Sequence, residues 1–135
     1  MNEEQKQSEP TQPGVTYQEV TAVTDYLDEL EALLGLGDAN GYSFRPTRHS
    51  YQKARRYLRD ASDTMGHVFP RPSFAPDGEG GIDIEWTRND RQVTLSCRAG
   101  ANEQDHIYWQ EGGEYDANEA SLSVLQNKLD WLNDA

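Results

Sequence analysis

Ile82-Asp83-Ile84-Glu85-Trp86-Thr87-Arg88-Asn89-Asp90-Arg91-Gln92-Val93-Thr94-Leu95-Ser96-Cys97 is the stretch that decides the fold. Apolar and polar residues alternate on both sides of Asn89-Asp90, the period of a half-buried strand. With Asn89-Asp90 as a two-residue hairpin loop, Arg88 faces Arg91 and the apolar residues pair as Trp86/Val93, Ile84/Leu95 and Ile82/Cys97. The polar pairs are then Glu85/Thr94 and Asp83/Ser96. Because side chains alternate with period 2, a slip of one residue would bury Asp83 and Glu85, so a single register satisfies both faces.

Outward from the hairpin, Ile107 and Trp109 mark a third strand near 106–110. Its expected register places Ile107 opposite Cys97 and Trp109 opposite Leu95. A closing helix follows, with Leu122, Leu125, Leu129 and Leu132 along one side, Trp131 flanking, and Asp116-Ala117-Asn118-Glu119 as its cap. Upstream, Thr47 is an N-cap for a helix running to Met65, with Tyr51, Ala54, Leu58, Ala61 and Met65 at steps of three and four and Gly66 as its stop. Between helix and hairpin, Pro70, Pro72 and Pro76 impose an extended connector, since each disfavours α at the residue before it. Further upstream, Thr16-Tyr17-Gln18-Glu19 reads as a capping box with a Val15/Val20 staple. Val20, Val23, Leu27, Leu30 and Leu34 then form a helical stripe ended by Gly35 and Gly37.

The expected fold is therefore α+β, in the order α-α-β-β-β-α: two N-terminal helices, a three-stranded antiparallel meander and a C-terminal helix. Residues 1–14 offer no large apolar side chain beyond Met1 and are expected to form a disordered acidic tail. Residues 15–135 are expected to form one α+β domain.

The chain has 135 residues and a formal net charge of -12, with a mean hydropathy of -0.92. No apolar run approaches the roughly 20 residues of a membrane span. Cys97 is the single cysteine, so an intrachain disulfide is excluded. The N-terminus lacks the apolar stretch of a secretory signal, and a cytoplasmic location is expected. The charge is unevenly spread. Residues 1–40 hold 9 acidic and 1 basic side chain, residues 41–75 hold 2 and 7, and residues 76–135 hold 13 and 4.

Two acidic regions are candidate contacts for a partner: Asp25, Asp28 and Glu29 on the first helix, and Asp83 and Glu85 on the polar face of the hairpin. Acidic surfaces steer encounters with basic partners. The basic block places Arg48, Arg55 and Arg59 on one stripe of the second helix with Arg56 beside it, and guanidinium forks in a row suit phosphates or an acidic partner. Asp83 and Glu85, two apart on a strand and about 7 Å from one another, have the spacing of carboxylates flanking a water in an inverting glycosidase. They equally suit the solvated face of a one-sided sheet, which takes precedence. His49, His67 and His106 are not at metal-ligand spacing. Gly78-Glu79-Gly80-Gly81 precedes a strand rather than a helix and carries an acid, against phosphate binding. No catalytic residue, metal or cofactor is expected.

The segment from Phe69-Pro70-Arg71-Pro72 through Pro76-Asp77-Gly78 and Ile82-Asp83-Ile84-Glu85-Trp86 to Arg91-Gln92-Val93-Thr94-Leu95-Ser96 resembles a pattern in small bacterial and phage proteins of unknown role. The resemblance covers about residues 48–135 and leaves out the first helix and the tail. It implies the hairpin followed by a closing helix. It also implies a partner-dependent member of a two-gene pair, antitoxin-like or immunity-like. The leading expectation is thus a non-enzymatic acidic module that binds and inhibits a partner protein, basic or encoded by a neighbouring gene. The alternatives are a nucleic-acid-binding component using the arginine stripe and a small hydrolase using the strand carboxylates.

Overall fold

A computed structural model describes residues 27–35 and 45–135. The expected tail, the capping box at Thr16–Glu19, the staple and Asp25 lie outside the described residues. Residues 27–32 are helical (α1) and run into a 3-10 turn at Leu33–Gly35. A long helix, α2, spans Arg48–Met65. Five strands follow: β1 (Ser73–Pro76), β2 (Ile82–Arg88), β3 (Arg91–Cys97), β4 (His106–Glu111) and β5 (Glu114–Glu119). Helix α3 (Leu122–Asn133) closes the chain.

The sheet is an antiparallel meander in the order β1-β2-β3-β4-β5. The expected three strands are thus its centre, and the correction adds one strand on each edge. The expected pair of N-terminal helices is corrected as well: the described residues hold one full helix, α2, before the sheet, and the first helical region contributes only the six-residue stretch α1. The β2–β3 hairpin has the register read from the alternation, from Ile82 opposite Cys97 to Arg88 opposite Arg91. Asn89 takes the left-handed conformation its turn requires, with φ 56°.

The β3–β4 register differs from expectation by two residues, with Ile107 opposite Leu95 and Trp109 opposite Val93. A shift of two leaves every side chain on its own face, so alternation cannot choose between the alternatives. The anchored loop between the strands supplies the choice. The buried carboxylate of Asp105 accepts from the backbone N–H of Arg98 and from Lys53 Nζ, each at 2.8 Å. Lys53 also donates to the Gly100 carbonyl.

Strand β1 arises inside the connector that the prolines were expected to hold merely extended. Proline lacks the N–H of an inner strand but is tolerated at an edge, and β1 pairs only with β2. Strand β5 occupies the residues read as the cap of α3. The cap is instead Ser121, whose hydroxyl accepts from Val124 N at 3.2 Å.

One face of the sheet is covered. Ile82, Ile84, Trp86, Val93, Leu95, Cys97 and Ile107 point into a core shared with Ala54, Leu58 and Ala61 of α2 and Leu125, Leu129 and Leu132 of α3. Leu30 and Leu33 belong to the same core, so the described part of the first helical region packs on the sheet's helical layer. Trp86 is 1% exposed. Its indole N–H donates to the Pro70 carbonyl at 3.0 Å, and Phe69 stands edge-on to it at 6.1 Å. Burial of so large a ring with its one polar group satisfied makes it the chief anchor of the connector. At the other end, Arg91 lies 4.7 Å over the Trp131 ring and pairs with Glu111, tying α3 to the hairpin.

The N-terminus of α2 is seated on the glycine turn. Thr47 caps the helix by accepting from Ser50 N. Thr47 N and the Ser50 hydroxyl both donate to the Gly80 carbonyl, and the Thr47 hydroxyl donates to the Ala99 carbonyl. Gly80 has φ +91°, and a Cβ there would meet Ala99 and Thr47 at 3.0 and 3.2 Å. The glycines thus let this turn approach the helix closely.

Candidate partner-binding surface

The other face of the sheet carries no layer among the described residues. Directly opposed residues share a face, so β2 contributes Asp83 and Glu85, β3 contributes Thr94 and Ser96, and β4 contributes His106 and Tyr108. On β5 the same face carries Tyr115, Ala117 and Glu119. Glu85 and Tyr108 are exposed, while Asp83, Thr94 and Ser96 are half-buried.

Around Asp83 the surface dips into an open depression of about 450 Å³, lined by Asp77, Glu79, Asp83, Thr94, Ser96, Arg98 and Tyr108. The strand ends and the glycine turn make its rim. Asp77 Oδ1 accepts from the N–H groups of Glu79 and Gly81 at 2.7 and 2.8 Å, which folds the Asp77–Gly81 turn back on itself. A Cβ on Gly81 would fall 2.2 Å from Asp77 Oδ2 and 2.7 Å from the Cys97 carbonyl, so only glycine permits that closure. Burial pushes the Asp83 carboxyl above its ordinary value, and Asp77 adds to this; the Ser96 hydroxyl and Arg98 oppose it. Arg98 also lies 3.9 Å from Glu103.

Asp83 and Glu85 thus share one face, as the alternation requires. Asp28 and Glu29 are exposed on α1, whose Leu30 enters the core on the covered side of the sheet. The two expected acidic contacts therefore do not merge into one patch. Glu29 is engaged by Arg71 in an ion pair. Arg48, Arg55, Arg56 and Arg59 are all exposed on α2, and among the described residues none of them forms an ion pair. The helix has buried its Ala54–Leu58–Ala61 side, turned Lys53 to Asp105 and left these four arginines outward.

Other groups singled out in the sequence have packing roles or stand apart. Cys97 is fully buried, and desolvation pushes its thiol far above the ordinary value, which keeps it a neutral, apolar-packed group. His106 lies on the bare face with a buried Nδ1 that has no hydrogen-bond partner. Among the described residues no group of three or more His, Cys, Asp and Glu side chains is gathered for a metal ion. None of the described helices is long and apolar enough to cross a membrane.

Chemically, the depression offers carboxylates and hydroxyls to a cation or a donor-rich side chain. Asp83 and Glu85 share one strand face, but the depression is open to water rather than closed around a reacting bond. Arg98 and Tyr108 were not singled out from sequence, where Asp77 and Glu79 entered only as acids that weigh against phosphate binding. Tyr108 was within reach, because Ile107 and Trp109 facing inward puts it outward with Thr94. No family model matches the chain, and no curated protein and no solved structure matches it.

Proposed function

We propose that the chain is a non-enzymatic, acidic protein-binding module, an antitoxin-like or immunity-like inhibitor that docks on a basic partner protein. The observation that carries this reading is the bare face of the sheet, where Asp77, Glu79 and Asp83 line a depression together with Arg98 and the exposed Tyr108, and Glu85 stands exposed on the same face of β2. A sheet that covers one face with helices and leaves the other rich in carboxylates, hydroxyls and tyrosine has a surface suited to protein contact. Its charge would speed encounter with a basic partner and resist a nucleic acid. The resemblance of the proline-to-hairpin segment to small bacterial and phage proteins adds the expectation of a partner encoded nearby.

The arginines of α2 favour a second reading, a nucleic-acid contact through Arg48, Arg55, Arg56 and Arg59, because these four cations are exposed and without ion pairs among the described residues. One experiment separates the two. The tagged full chain is purified from its native host at low salt, with and without nuclease. A stoichiometric protein that survives nuclease and dissociates as salt is raised supports the first reading. Recovery of nucleic acid alone, lost on charge reversal at Arg55 and Arg59, supports the second. Recovery of neither removes both.

A further inference from the structure

Strand β5 buries no large apolar side chain. Of its residues only Ala117 is half-buried, and Glu114, Tyr115, Asp116, Asn118 and Glu119 are exposed. Its residues on the covered face, Glu114, Asp116 and Asn118, stand opposite Glu111, Trp109 and Ile107 and add nothing apolar to the core. The strand is held by its ladder to β4 and by the Gly112-Gly113 turn, in which Gly112 has φ +61° and its N–H donates to the Asp90 carbonyl. Core burial therefore does not account for this strand.

The two edges of the sheet are finished differently. β1 is four residues long, is preceded by Pro72 and ends on Pro76. Proline at an edge blunts it against further pairing. β5 is six residues long, free of proline, and pairs with β4 without a bulge. On its outer side the main-chain groups of alternate residues have no strand beside them among the described residues. Its side chains include Glu114, Asp116 and Glu119 and no cation, and Tyr115 is 76% exposed.

We infer that β5 is a docking edge that accepts an extended, basic segment of a partner protein as a sixth strand. This rests on the reading of the chain as a module for a basic protein, and it names the element and the form of the contact. Main-chain hydrogen bonds supply affinity in strand addition, and the side chains beside them supply selectivity. Carboxylates on β5 select lysine or arginine on the incoming strand. They also select against a second copy of this chain, since pairing β5 with β5 would set acids against acids. The partner's remaining surface then lies over the adjoining bare face.

The test uses the full chain, isotope-labelled, with a capped synthetic peptide of alternating lysine and threonine as the probe, at about 150 mM salt. Charges three strands away, about 14 Å, are then largely screened. The expected result is binding with amide exchange slowed about tenfold or more at alternate β5 residues. The triple variant Glu114→Lys, Asp116→Lys, Glu119→Lys should bind about tenfold more weakly, whereas Asp60→Lys, Asp63→Lys on the exposed side of α2 should bind as wild type. Equal loss in the two variants, or peptide binding without slowed exchange in β5, overturns the edge and leaves the protein-binding module standing. A peptide that does not bind overturns the edge as well, while the co-purification decides the module separately. Dimerisation of the chain through β5 at the same salt also overturns it.

Discussion

On the covered face of the sheet, Ile84, Val93 and Leu95 are 0% exposed and Trp86 is 1% exposed. On the bare face, one residue along the same strands, Glu85 is exposed and Asp83, Thr94 and Ser96 are half-buried. The two sets share backbone, register and hydrogen bonds and differ only in which way alternate side chains point. The difference teaches that stability and recognition are divided within each strand. The covered set excludes water between sheet and helices, whereas the bare set is spared that duty and holds charge that a core would reject.

The largest effect should come from breaking the covered side. Trp86→Ala removes a ring at the middle of the hairpin and the indole contacts to Pro70 and Phe69. It should cost about 3–5 kcal/mol in urea unfolding. A loss below about 1 kcal/mol would mean that this face is not the source of cohesion.

A smaller effect, of the opposite sign, should come from Asp83→Asn on the bare side. Its carboxyl is raised above the ordinary value chiefly by burial. Between the unfolded and the folded pKa, the folded chain holds the proton more often than the unfolded chain does. Stability therefore falls as pH rises through that window and stays reduced above it. Asp83→Asn should abolish this decline and leave the chain at pH 7 as stable as wild type or slightly more so, within about 1 kcal/mol. Thermal melts from pH 4 to pH 8 would check it, and a variant clearly less stable at pH 7 would mark Asp83 as a structural anchor through Ser96 or Arg98.

The same comparison explains what was legible in the sequence. The β2–β3 register could be read because burial of Ile84 and Trp86 against exposure of Glu85 permits no slip by one residue. Helix α2 could be read from Thr47 to Gly66 because both ends carry their own chemistry, a capping hydroxyl and a glycine with φ 61°. β5 was missed because Glu-Tyr-Asp-Ala-Asn-Glu has no apolar alternation, and its acids next to a leucine-rich helix looked like a helix start. β1 was missed because its prolines signal a connector except at an edge. The two-residue shift of β4 was invisible because it is set by Asp105, Lys53 and Arg98, which meet only in the folded chain. The acidic pair Asp83/Glu85 was legible, but its neighbours Asp77 and Glu79 reach it only through the closed glycine turn.

The most direct measurement compares stability and affinity in one double variant, Asp83→Lys, Glu85→Lys, against the partner recovered by co-purification. Expected is a melting temperature close to wild type together with about tenfold or greater loss of affinity, most marked at low salt. A variant that melts markedly lower yet binds its partner undiminished would contradict the division of the sheet into a face for stability and a face for recognition.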